Sequence, residues 1–171
     1  EAYVKVAEER IHNNPNKNDD FQEYYELGFQ RITRTMKTYK VDELQLSELK
    51  NKDFKGKVLI ISEPWFGDAS ATVPAVSKFF ETAENEVKIF MRDSDTSLID
   101  QYLTNGGRAI PIVLLLNDDF SVKTFWGPRP EFGRELLKKF KANPETYSVD
   151  EFHNDLQVYY AKNRGKDAIE E

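Results

Sequence analysis

From Lys57 onward the hydrophobic period of the chain changes in a definite order, and that order restricts the fold more than any other feature. "KVLIIS" is a continuous β-branched run, the pattern of a strand covered on both faces. "ASATVPAVSKFFETA" then sets Val73, Val76, Phe79, Phe80 and Ala83 on one helical stripe, with Pro74 inside it as an expected kink. "VKIFMR" is a second strand. "DSDTSLIDQYL" offers Asp and Ser as N-caps before Leu98, Ile99, Tyr102 and Leu103, which predicts a helix of about two to three turns, closed by "NGG". "IPIVLLL" and "SVKTFWG" read as strands of an antiparallel hairpin joined by "NDDF", and "PEFGRELLKKFK" returns to helical spacing. Strand, helix, strand, helix, strand, strand, helix describes an α/β domain: a mixed sheet flanked by helices on both faces, a βαβ half and a ββα half joined by a helix.

Both ends of the 171-residue chain extend beyond that pattern, and the length favours a single domain. Residues 1–56 read as an N-terminal helical extension. Val4, Ala7 and Ile11 mark a short amphipathic helix, "NNPNKNDD" a turn at Pro15, and a longer helix from near Asp20 carries Phe21, Tyr24, Tyr25, Gly28, Phe29, Ile32 and Met36 at three- and four-residue steps. "VDELQLSELK" is a third, short helix. The apolar stripe needs a surface. It either packs on one face of the core sheet, at about 25 cal/mol per Å² removed from water, or forms a homodimer interface, and the sequence leaves both open. After the 57–141 core, residues 142–171 are expected to form an extra helix started by a Ser148/Glu151 capping box and ended by a fraying polar tail, "NRGKDAIEE".

Composition removes several function classes. The chain has no cysteine, which excludes disulfides, thiolate metal sites, iron–sulfur clusters and cysteine nucleophiles. His12 and His153 both lie outside the candidate site read below, so no histidine-rich metal centre is expected, while an all-carboxylate site stays open. Asp93, Asp95, Asp100, Asp118 and Asp119 lack the glycine and closing glutamate of a calcium loop, and caps and turns explain them better. A net charge of −6 and a pI near 5.1 argue against a nucleic-acid partner. No apolar run approaches the roughly 18 residues of a membrane span, so no membrane association is expected and the cytoplasm is the default location. The start at Glu1, without an initiator methionine, fits a removed leader or a trimmed chain. Phosphate-loop motifs are missing, "NGGR" reads as a helix stop, and no cofactor is expected.

"SEPWFGDASATVP", Ser62 to Pro74, has the layout of a redox site without its sulfurs. Trp65 is followed by Gly67, Pro74 lies nine residues after Trp65, "RAIP" ends at Pro111, and Gly127 follows sixteen residues later. With these landmarks Lys57 to about Lys141 resembles the thioredoxin superfamily, and "WFGD", "YLTNGGRAIP" and "WGPRP" are most similar to a poorly characterised bacterial thioredoxin-like subfamily. The resemblance implies a thioredoxin-like mixed sheet and a cis Ile110–Pro111 bond, and it places Phe66 and Ala69 where the family carries its cysteine pair. The family reaction needs a thiolate at a helix N-terminus and a second sulfur to resolve the mixed disulfide. Phe66 and Ala69 supply neither, and Ile60 stands where many thioredoxins bury a carboxylate. Dithiol exchange is therefore ruled out.

What the resemblance leaves is a recognition frame. In the family, the backbone before the cis-proline pairs with an extended substrate chain, and such edge recognition does not depend on cysteine. The expected groove comprises Trp65, Phe66, Gly67, Asp68, Ser70, Ile110 and Pro111, with a peptide or protein partner as occupant. Two readings compete. Ser70 or N–H groups at the helix start would stabilise a ligand thiolate such as glutathione's in a thiol-using enzyme; alternatively Phe66 plugs the groove and the role is structural. Asp68 and Ser70 are expected to cap the helix, and no serine nucleophile has a histidine base near the matched segments. Trp126 either packs at the end of its strand or, beside "GPRP", meets a partner. Arg92 and Arg108 would clamp an anion if they converged, although surface ion pairs are their commoner use.

Overall fold

The protein is described here by a computed structural model covering residues 2–13 and 22–171. The turn at Pro15 and the helix start at Asp20–Phe21 lie outside the described residues. Four strands, β1 (Lys57–Ser62), β2 (Val87–Met91), β3 (Ile112–Leu116) and β4 (Val122–Trp126), form one mixed sheet in the order β2-β1-β3-β4. β1 runs parallel to β2 and antiparallel to β3, and β3–β4 is the antiparallel hairpin expected across "NDDF". Alternation along the central strands divides the core. Val58, Ile60 and Val113 face one hydrophobic cluster, while Ile61, Ile112, Leu114 and Leu116 face another.

α4 (Gly67–Thr82) covers the first face with Ala69, Val73, Val76, Phe79 and Phe80. The second face differs from expectation, because residues 93–103 do not form a helix of two to three turns. They make two short 3-10 turns, Arg92–Ser94 and Ile99–Gln101, and fully buried Ile99 and Ile110 seal that face. The competing side chains are visible: Asp95 accepts the Ser97 N–H at 2.9 Å and Ser94 Oγ donates to the Met91 carbonyl at 2.6 Å, contacts that take backbone groups away from a helix. "NGG" is likewise no helix cap. Asn105 and Gly106, both at positive φ, form the tip of a tight turn bridged between Thr104 and Gly107.

The N-terminal part forms α1 (Ala2–His12), α2 (Gln22–Thr38) and α3 (Glu43–Asn51), the last capped by Asp42, which accepts the Leu44 and Gln45 N–H groups. The apolar stripe of this part packs on the core through α4: α2 lies against α4, which covers that face of the sheet, and α1 lies against α2. Ile32 and Tyr39 join the first core cluster, and the Tyr3 hydroxyl meets Ser62 Oγ at 2.9 Å at the end of β1. Gly28 permits the approach, since a Cβ there would stand 2.4 Å from the Pro64 carbonyl oxygen.

α5 (Glu131–Ala142) and α6 (Val149–Asn163) pack on each other through Leu136, Leu137, Phe140, Phe152, Leu156 and Tyr160, and α6 begins with the expected Ser148/Glu151 capping box. The tail does not fray. Arg164 and Gly165 turn at positive φ into α7 (Lys166–Glu170), whose Ala168 and Ile169 reach the first core cluster. Glu171 then accepts from Trp126 Nε1 (3.0 Å), the Glu131 N–H (2.6 Å) and Arg134 Nη1 (3.2 Å). No helix of the described residues is long and apolar enough to cross a membrane.

Candidate functional site

β1 delivers the chain to Glu63–Phe66, and Phe66, in extended conformation, is the N-cap of α4 without a side-chain capping bond. The capping roles expected of Asp68 and Ser70 are both overturned. Ser70 is fully buried and its hydroxyl donates to the Gly67 carbonyl at 3.0 Å, so it is not an acceptor for the first turn. Asp68, only 3% exposed, reaches across to the C-terminal part of the chain. Arg129 donates to its Oδ2 from Nε at 2.9 Å, with Nη2 at 2.7 Å, and the Tyr160 hydroxyl donates to Oδ1 at 2.5 Å. Burial, then the Asp68 charge, push the Tyr160 phenol well above its usual range, which keeps it a donor. Burial pulls the Arg129 guanidinium down, but the Asp68 charge and hydrogen bond outweigh it and the net shift is upward. The positive end of α4 thus already holds a buried, twice-bonded carboxylate.

Beside this triad lies a cleft of about 370 Å³. Trp65, Phe66, Gly67 and Asp68 form one side, α2 contributes Tyr24, Leu27 and Arg31, and the far wall comes from Arg129 and from His153, Leu156 and Gln157 of α6. Four of the expected groove residues are therefore together, while Ser70, Ile110 and Pro111 have buried side chains and do not line it. His153, expected outside the site, stands on its rim because α6 folds back over the start of α4. Phe66 is half-buried, packs against both sheet clusters and meets Trp65 edge-on at 5.4 Å. Arg31, Arg129, Tyr160 and Gln157 were not legible as site residues, because their roles depend on contacts between distant parts of the chain.

The remaining candidates have structural uses. Arg92 pairs with Asp93 at 2.7 Å and lies 5.6 Å from the Trp65 ring centre, while Arg108 pairs with Asp100 at 2.6 Å, so each arginine is held by its own carboxylate. Trp126 is half-buried against the first cluster, with its indole N–H committed to Glu171. Glu63, 1% exposed, accepts the Asp93 N–H at 2.9 Å, and burial pushes its carboxyl above the ordinary value against that bond. The Ile110–Pro111 and Gly127–Pro128 bonds are cis. Among the described residues no three histidine or carboxylate side chains cluster as a metal site would require.

A family model described as Thioredoxin matches residues 15–141. No curated protein matches the sequence. The crystal structure of a protein of unknown function from Pseudomonas aeruginosa is similar, with a TM-score of 0.54 at 18% identity over 80% of this chain and 85% of that one. An HIV epitope-scaffold is similar as well, with a TM-score of 0.53 at 16% identity over 80% of this chain and 86% of that one. At these identities the likeness extends to the fold alone.

Proposed function

The chain belongs to the thioredoxin family, and on that premise we propose that it is a redox-inactive member that binds a peptide segment or protein partner in the cleft beside Trp65–Asp68. Without cysteine, dithiol chemistry is absent from this scaffold. The observation that carries the reading is the cleft itself. Of the two positions that the family resemblance assigns to the reactive sulfurs, Ala69 is fully buried and Phe66 stands at the edge of an open recess, rimmed also by half-buried Trp65 and by exposed Tyr24 and Leu27. Aromatic and aliphatic rims around a few fixed polar groups are the usual composition of a recognition pocket. The thiol-using reading has no comparable support, since the Ser70 hydroxyl is buried and engaged with the Gly67 carbonyl.

Two-dimensional amide NMR of labelled protein, titrated with a mixed library of extended peptides and separately with reduced glutathione, tests the proposal. Saturable shifts centred on Trp65–Asp68 and on α2 and α6 with the peptides support it. Shifts there with glutathione alone favour the thiol-using reading. No shift at millimolar concentration of either ligand sinks both and leaves Phe66 as a plug.

A further inference from the structure

We propose that the occupant of the cleft is an acidic peptide segment, its side-chain carboxylate held between Arg31 of α2 and Gln157 of α6 while a neighbouring apolar residue lies on the Tyr24–Leu27–Phe66 rim. This rests on the peptide-binding reading above and specifies its chemistry. Arg31 is half-buried, and desolvation first, then the nearby Arg34, pull its guanidinium below the ordinary value. Among the described residues it has no carboxylate partner, unlike Arg92, Arg108, Arg129 and Arg134, each of which has one. A cation that loses hydration without gaining a counter-charge raises the energy of the free protein, and an incoming carboxylate relieves that cost.

Position as well as charge argues for a carboxylate. A Cβ built on Gly67 would stand 3.2 Å from Gln157 Nε2 and 3.6 Å from Arg31 Nη1, so two nitrogen donors from opposite walls converge on one point. Because Gly67 has no side chain, both donors come this close to the turn and to each other, a spacing that the two oxygens of one incoming carboxylate can bridge. Local charge also favours an anion. Among the described residues the only acid lining the cleft is Asp68, already bound by Arg129 and Tyr160, so these residues carry a local positive excess at Arg31 in a chain of net charge −6. A free inorganic anion would use the donors and leave the rim idle. A segment with Glu beside Leu or Phe uses both, and a cleft of about 370 Å³ is within the size range of ligand pockets.

The test uses fluorescein-labelled, acetylated and amidated hexapeptides centred on Leu-Glu-Phe or Leu-Gln-Phe, with binding read by anisotropy and location by amide NMR. The Glu peptide is expected to bind about ten-fold more tightly than the Gln peptide, an advantage that shrinks with salt. Arg31→Gln should abolish the difference, and Arg31→Lys, which keeps the charge, should retain part of it and control for folding. Equal binding of both peptides in the cleft overturns the acidic specificity while sparing the peptide-binding reading. Absence of binding by either overturns both. Inorganic phosphate or acetate competing as well as unlabelled Glu peptide overturns the peptide as occupant in favour of a small anion.

Discussion

Replacing Asp68 by Asn keeps the size of the side chain and removes the charge on which Arg129 and Tyr160 converge. The arginine nitrogen lies 2.7 Å from the carboxylate, with 18% of the arginine side chain and 3% of the aspartate side chain exposed. At an effective dielectric of about 20, that separation corresponds to about 6 kcal/mol of gross attraction. Desolvation offsets much of this in the intact pair, but removing one partner strands the other, and the expected loss is about 3–5 kcal/mol. For a chain of this length, about 2–4 °C per kcal/mol translates the loss into a melting point lower by roughly 6–20 °C. By contrast, the exposed Arg134–Glu131 pair, with side chains 41% and 63% exposed, should contribute less than about 1 kcal/mol. The assay is urea unfolding followed by circular dichroism for Asp68→Asn, Arg129→Met and the double variant. The double variant is expected to recover much of the loss, because it removes the stranded cation with its partner. A cost below about 1 kcal/mol for Asp68→Asn at an unchanged urea slope, or strict additivity in the cycle, would refute the reasoning that this buried pair fastens the segment before α5 to the start of α4.

Two further changes probe other parts of the molecule. Burial raises the Glu63 carboxyl in the folded protein from its ordinary 4.5, so folding favours the protonated form. The stability this contributes is present below the ordinary value and is lost as pH rises through the raised one. Glu63→Gln, whose amide oxygen still accepts the Asp93 N–H, should therefore be more stable than the parent at neutral pH, with the gap closing in acid; a gap independent of pH between about 4 and 8 contradicts this assignment. Glu171→Gln weakens three hydrogen bonds at the end of α7 and should cost about 1–2 kcal/mol while changing Trp126 fluorescence; an unaltered emission spectrum would show that the indole does not depend on that contact.

The sheet was legible in the sequence because its central strands are short, continuous runs such as "KVLIIS" and "IPIVLLL", whose covering on both faces is written in composition alone. The landmarks from Trp65 to Gly127 then pointed to the turn that borders the cleft. Less visible was what Asp68 does. An acid two residues into a helix looks the same whether it caps the first turn or bridges elsewhere, and the partners that decide are 61 and 92 residues away. The stretch from Asp93 to Leu103 misled because its apolar spacing is helical while its Asp and Ser side chains hydrogen-bond the local backbone. The tail misled in the opposite sense. A five-residue helix has almost no intrinsic signature, and α7 is held by Ala168, Ile169 and Glu171 docking on groups far back in the chain.

The cleft also has a place in time as well as in space. Its walls come from α2 near the start of the chain and α6 near its end, with the Trp65–Asp68 turn between them. During synthesis the N-terminal residues emerge first, and the donor pair of Arg31 and Gln157 does not exist until α6 has left the ribosome and folded back. A nascent chain therefore offers no cleft to a partner. A ligand that needs both walls reads a chain in which α2 and α6 have both folded into place, and by mass action it stabilises only such molecules.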